Sequence, residues 1–297
     1  MTTLELQPIA DWQQPLPDAA FYSASSVEEA LALARDHPGA AFLAGGTWLV
    51  RTGRFGANLP TTLVAIDRIA ELKGVRAEGD RIAIGSLAVH GSLRRSPVLR
   101  ARAGLLLAAA EEIAGPAVRN LATLGGNVAI GWDLVPALLA LDALVVLRDG
   151  QGERRVPLAE FYDPDGRARL APGQLITAVS IAADLPDYGY QKIARRKAVS
   201  RAIIGAAVSL ERAGGALREV RIGIGGAGLV PRRVRAAEDL LRGRKLSDAL
   251  VAEVGEAAFE AAADARDDVE ALAWYTQEMA RVAVERALNE AVGRPVL

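Results

Sequence analysis

The sequence predicts an α+β protein of two domains. Three observations carry that expectation. The chain has 297 residues, 51% of them hydrophobic, enough to fill two cores. The run Leu185-Pro186-Asp187-Tyr188-Gly189 interrupts regular patterning, and a domain boundary is placed there because proline and glycine are the strongest local breakers. Beyond it, strand-like runs come first and helical runs follow, which suggests an antiparallel sheet covered on one face by helices. Only 5% of residues are aromatic, so alanine, valine and leucine must supply most of the packing.

Residues 1–20, with Pro8, Pro15 and Pro17, show no periodicity and read as an irregular arm. Ser25 or Ser26 can cap a helix whose first turn carries Glu28 and Glu29. Its apolar positions Val27, Ala30, Leu31 and Ala34 share a face, and His37-Pro38-Gly39 ends it. Residues 41–44, 63–66 and 81–85 are short apolar strands, and residues 99–114 form a helix that stops at Gly115-Pro116. Residues 134–141 are helical again, with Pro136 in the first turn, where proline is tolerated. Residues 143–147 form a strand that Asp149-Gly150 turns into a hairpin, and 175–181 form another strand. In the second domain, 189–194 and 202–212 are strands, and Gly214-Gly215 joins the latter to 217–224. Residues 233–241 and the Ala-rich stretch from Leu246 onward are helical.

Charge is nearly balanced, 35 basic against 36 acidic residues, so nothing points to nucleic acid or an acidic membrane as partner. Cysteine is absent, which excludes disulfides, zinc–thiolate sites and iron–sulfur ligation by this chain. The first residues show no basic stretch followed by an apolar run, and the longest apolar stretch, 134–147, holds Asp142 and is too short to span a bilayer. A soluble, cytoplasmic protein is expected.

Two glycine pairs stand out. Ala44-Gly45-Gly46-Thr47 follows directly on a strand, and Thr123-Leu124-Gly125-Gly126-Asn127 lies downstream. Adjacent glycines let the backbone approach a ligand closely and reach positive φ. Successive N–H groups in such a turn make a concave anion site, to which threonine hydroxyls and an asparagine amide add donors. Each pair alone also reads as an ordinary tight turn; together they are expected to hold a pyrophosphate. A third run, Gly223-Ile224-Gly225-Gly226-Ala227-Gly228, matches G-x-G-x-x-G, but that fingerprint needs a helix directly after it. Here Pro231 interrupts, and close backbone packing is the favoured reading. His37 and His90 form no metal-binding pair, no G-x-S-x-G nucleophile motif occurs, and no paired carboxylates suggest acid–base work. A ligand loop without its own acid, base or nucleophile points to a cofactor that carries the chemistry.

The motif Ala44-Gly45-Gly46-Thr47 and the run VRNLATLGGN at 118–127, followed by Asp133-Leu134-Val135-Pro136, resemble the FAD-binding medium subunits of molybdenum hydroxylases, the xanthine dehydrogenase and carbon monoxide dehydrogenase flavoprotein family. Tyr190, Lys192 and Arg196, then Gly225-Gly226-Ala227 with Pro231, then Arg286-Ala287-Leu288 extend the resemblance along most of the chain. It implies a PCMH-type FAD-binding domain at 21–186, made of α+β subdomains at 21–73 and 74–186. A C-terminal domain at 187–297, with an antiparallel sheet and helices, would follow. It implies that Ala44, Gly45, Gly46 and Thr47, together with Thr123, Gly125, Gly126 and Asn127, contact FAD, and Trp48, next to the first motif, is a further candidate contact. Asp133 would accept a hydrogen bond near the ribityl or phosphate end, and Tyr190 and Lys192 would lie beside the isoalloxazine.

The same resemblance implies a division of labour. The substrate would be oxidised at the molybdenum cofactor of a large molybdopterin-binding partner. Electrons would cross the 2Fe–2S clusters of a small partner to FAD on this chain, then leave to NAD+, a quinone, O2 or another acceptor. This chain alone would oxidise no organic substrate. Two positions depart from the family pattern. Trp48 stands where an aspartate is usual, and only Val128-Ala129-Ile130-Gly131-Trp132 separate Asn127 from Asp133. The two indoles could stack on the cofactor or on each other, or restrict the acceptor's access to the flavin. The alternative reading is an FAD-free scaffold or sensor that retains the fold.

Overall fold

The computed structural model describes residues 19–54, 60–185 and 187–296. The expected arm lies, up to residue 18, outside the described residues, as does Pro186 of the expected boundary. Among the described residues, three sheets follow one another along the chain, each with its own core. The first holds β1 (Ala20–Ser23), β2 (Ala41–Leu43) and β3 (Thr62–Ala65), with β3 central and parallel to both neighbours. Helix α1 (Val27–Asp36) connects β1 to β2; its cap is Ser26, whose Oγ accepts from the N–H of Glu29 at 3.1 Å. Val27 and Ala30 of α1 pack with Val64, Ile66 and Ile69. Helix α2 (Leu49–Arg54) starts just after the first glycine motif.

The second sheet is antiparallel, in the order β4-β5-β8-β6-β7, from β4 (Val75–Glu78), β5 (Arg81–Gly85), β6 (Leu144–Asp149), β7 (Gly152–Pro157) and β8 (Leu175–Ala182). Between β5 and β6 run short helices: α3 (His90–Leu93), α4 (Pro97–Arg102), α5 (Gly104–Glu111), α6 (Pro116–Arg119), α7 (Leu124–Ala129) and α8 (Val135–Ala140). Ile82, Ile84, Val145 and Val179 share one core with Leu99, Leu106, Leu124 and Leu138 of the helices. Each fully buried leucine there contributes about 1.5–3 kcal/mol.

The third sheet is an antiparallel meander of β9 (Asp187–Ala194), β10 (Ala202–Ala213), β11 (Ala216–Gly226) and β12 (Leu229–Arg233), followed by α9 (Arg235–Leu241), α10 (Asp248–Ala261) and α11 (Ala273–Ala291). Side chains alternate between the two faces of a strand. Ile222 and Ile224 pack with the helices, as do Ala206 and Val208. The opposite face rests on α8. There a Cβ on Gly223 would stand 2.2 Å from the Pro136 carbonyl oxygen, and the Ser209 hydroxyl donates to Ala140 O at 2.6 Å. Close packing, as expected for the G-x-G-x-x-G run, thus clamps the C-terminal sheet onto the helix that follows Asp133.

The α+β class is as expected, with local differences. The helix expected over 99–114 is two helices, broken at Ala103 (φ −143°, ψ 51°). The tertiary fold overrides propensity there: Tyr188 from β9 lies so close to Gly104 that a Cβ would meet its hydroxyl at 2.4 Å. The long helix from Leu246 is α10 and α11, separated by a turn in which Asp267 Oδ1 accepts from Ala273 N–H at 2.8 Å and Arg266 N–H donates to Gly228 O at 2.9 Å. Strands β1, β4 and β12 went unrecognised in the sequence, and β7, the return strand of the expected Asp149-Gly150 hairpin, had no range there. All four are sheet edges. Pro231 sits in β12 without harm because an edge strand has one side with no ladder to serve. Among the described residues, no helix is long and apolar enough to cross a membrane.

Candidate functional site

The first glycine motif leaves β2 as a loop. Gly46 lies in the left-handed region, φ +67°, which glycine adopts without penalty. Gly45 packs against the 121–122 backbone: a Cβ there would sit 1.9 Å from the Leu121 carbonyl oxygen. Leu121 stands two residues before Thr123, so this contact joins the two motifs physically. No described residue accepts a hydrogen bond from the backbone N–H of Gly45, Gly46, Thr47 or Trp48. Four consecutive donors therefore stand ready in one loop.

The second motif differs from its expected form. It is not a turn but the start of α7, capped by Thr123, whose Oγ1 accepts from Gly126 N–H at 3.1 Å. Leu124, Gly125 and Asn127 donate their N–H groups to the carbonyls of Ala88, Ser86 and Thr123. Every N–H from 124 to 127 is thus used by the protein, and no nest forms. A threonine N-cap explains the difference, because it satisfies a first-turn donor and makes the helix the favoured state. Gly125 is needed for packing, since a Cβ would lie 2.7 Å from Ser86 Cβ. Asn127 is buried, and its Oδ1 accepts from Leu134 N–H at 3.1 Å, which fixes the chain on either side of Asp133. The Tyr162 hydroxyl donates to Val128 O at 2.6 Å and steadies the same helix.

Asp133 and Lys192 meet across the domain junction. Lys192 Nζ is 2.7 Å from Asp133 Oδ2, with both side chains almost fully sheltered. Its other donors reach Glu112 O and Ser200 O, each at 2.8 Å. All three ammonium protons are therefore placed on protein oxygens. Asp133 Oδ1 also accepts from Ala202 N–H at 3.4 Å. Tyr190 is buried beside the pair, and its hydroxyl donates to Asp133 O at 3.4 Å. Burial first, then Asp133 and Glu112, push its pKa well up, so the hydroxyl keeps its proton. The carbonyls bound by Lys192 adjoin two strained turns: Ala114 (φ +44°) and Val199 (φ +52°). Positive φ is costly for a β-branched residue, and such outliers persist where surrounding structure over-determines them. No periodicity or motif marked Ala114 or Val199 in the sequence.

The departures from the family pattern also converge. Trp48 and Trp132 contact one another, ring centroids 4.6 Å apart. Arg201, which the sequence did not single out, lies over Trp132. Arg195, Arg196 and Lys197 are exposed at the end of β9.

Behind the second motif, two buried polar atoms lack a partner: Ser86 Oγ and His90 Nδ1. Both residues belong to the segment that pairs with 122–125. Burial lowers the pKa of His90 from 6.5 to about 4, against a smaller upward pull from Asp133. Between those two values the unfolded chain takes up a proton that the folded chain refuses, so stability is full above pH 6.5 and falls as pH drops towards 4. The loss is on the order of 3 kcal/mol. Urea melts of wild type and His90→Leu across this window are expected to show a correspondingly shallower acid slope in the variant. Equal slopes would mean that His90 takes up its proton in the folded state.

Comparison with known proteins gives a consistent result. Residues 17–183 match the family described as "FAD binding domain in molybdopterin dehydrogenase", and residues 189–291 match "CO dehydrogenase flavoprotein C-terminal domain". The chain is 33% identical to the carbon monoxide dehydrogenase medium chain of Hydrogenophaga pseudoflava, over 94% of this chain and 98% of that one. It is 35% identical to the 6-hydroxypseudooxynicotine dehydrogenase complex subunit alpha of Paenarthrobacter nicotinovorans, over 94% and 96%. A solved structure of carbon monoxide dehydrogenase from Hydrogenophaga pseudoflava superposes with a TM-score of 0.89 at 32% identity, covering 95% of this chain and 99% of that one.

Proposed function

We infer the function from one premise: the chain belongs to the family of FAD-binding medium subunits of molybdenum hydroxylases. The residues present fit that cofactor. The four unpartnered N–H groups of 45–48 are the donor set a pyrophosphate needs, and Ser86 Oγ and His90 Nδ1 leave buried polar capacity behind the second motif. In this reading Gly45, Gly46, Thr47 and Trp48 hold the phosphates, with Ala44 as the last strand residue before them. Gly125 lets the second segment pack closely beside the ligand, and Thr123, through its bond from Gly126 N–H, and Asn127 fix its shape. Asp133, Tyr190 and Lys192 lock the C-terminal domain against this site and so exclude water from it.

The chemistry that FAD supplies when bound is acceptance of electrons from iron–sulfur clusters on a small partner and their delivery to NAD+, a quinone, O2 or another acceptor. In this reading the organic substrate is oxidised on a large molybdopterin-binding partner. The N–H row of the first loop is the observation that carries the reading. The visible spectrum of the purified chain, before and after adding FAD and desalting, tests it. Oxidised-flavin bands at a stoichiometry of about one FAD per chain are expected. A chain that stays colourless, alone and when co-expressed with both partners, would favour the FAD-free scaffold.

A further inference from the structure

Trp48 and Trp132 stand outside the residues that carry the family resemblance, yet the fold makes one unit of them. Trp48 leads from the first glycine loop into α2, and Trp132 ends the stretch between α7 and Asp133. The indoles meet edge to face, with planes 67° apart. The Arg201 guanidinium lies 4.9 Å from the Trp132 ring centroid and is itself held by Asp268 at 3.3 Å. Trp132 is therefore braced by a cation that is fixed in place and by its neighbour's ring. Trp48 shares the ring contact but not the cation. It is 37% exposed and belongs to the row of unpartnered N–H groups. A large exposed indole normally finds a partner, because its face gains by stacking. Beside free backbone donors, a ligand that is flat at one end and anionic at the other satisfies both features.

We propose that Trp48 is the stacking partner of a flat ring of bound FAD, the isoalloxazine or the adenine, and that Trp132 and Arg201 are positioning residues that hold its indole in place. The inference rests on the FAD reading above and adds to it a determinant of flavin binding specific to this chain. Stacking of this kind changes affinity by about tenfold.

The test uses the full chain, freed of flavin and titrated with FAD, riboflavin and ADP. Affinity is read by ultrafiltration, and flavin stacking by quenching of flavin fluorescence. Trp48→Ala is expected to weaken FAD about tenfold, Trp48→Phe to retain most of the affinity, and Arg201→Gln to fall between. A Trp48→Ala loss confined to riboflavin, with flavin fluorescence restored, assigns the isoalloxazine; a loss confined to ADP assigns the adenine. Melting curves confirm that each variant is folded. Wild-type affinity for all three ligands in Trp48→Ala, with unchanged quenching, would overturn the assignment and leave the FAD reading intact. A wild-type chain that binds no FAD would overturn both.

Discussion

Lys192→Met is expected to lower stability by about 3–5 kcal/mol, the cost of leaving one member of a buried ion pair alone, and to release FAD on desalting. Lys192 reaches from β9 to Asp133 and to the carbonyls of Glu112 and Ser200. Methionine keeps much of the stem but none of the donors. Asp133 would be left buried with only the long contact from Ala202 N–H, at 3.4 Å, and two carbonyls would lose their partner. The double variant Lys192→Met with Asp133→Leu removes both charges, and apolar replacement of a whole pair is often neutral or stabilising. Its stability is therefore expected to lie above that of the single variant. Urea denaturation gives the comparison. If single and double variants are equally unstable, the ammonium acts through the carbonyls and not through Asp133. Flavin retention reads a second quantity: a double variant that is stable yet colourless would place Asp133 among the groups that FAD requires.

The sequence showed what periodicity, turn chemistry and motif order can show. The α1 cap at Ser26, the hairpins at Asp149 and Gly214, and the long strands β10 and β11 all have local causes, and all are present. The unrecognised strands β1, β4 and β12, and the unplaced β7, are all sheet edges. Strands β4 and β7 are mostly exposed, so their residues are charged and carry no alternating pattern. An edge strand is held by its neighbour's ladder more than by its own side chains. The site divides in the same way. Gly45 and Gly46 stand out in the sequence as a ligand loop, but the four free N–H groups depend on where α2 begins. The helix over 124–129 hides behind a glycine pair that reads as a turn, and only the packing of Gly125 on Ser86 reveals why a glycine is needed. Arg201, Ala114 and Val199 reach the junction through tertiary contacts that no local signal encodes.

Gly45→Ala is expected to weaken FAD roughly a hundredfold, while Gly126→Ala leaves affinity nearly intact. The Cβ at 45 would lie 1.9 Å from the Leu121 carbonyl oxygen. That oxygen is backbone, in a segment fixed on both sides: Leu121 and Ala122 donate to Val118 O, and Ala122 O accepts from His90. The segment cannot turn aside, so the loop must lift. Lifting displaces the N–H row, and two misplaced hydrogen bonds to a charged group cost about 3 kcal/mol, which is the hundredfold. Overpacking adds about 1–3 kcal/mol of lost stability. At Gly126 the nearest atom is the Thr123 hydroxyl oxygen at 3.0 Å, on a side chain that can give slightly, and the backbone is already helical. Titration of both variants with FAD, alongside thermal melts, separates the outcomes. If Gly45→Ala binds FAD as wild type does while melting normally, the first loop is not the phosphate cradle, and the two motifs meet for packing alone.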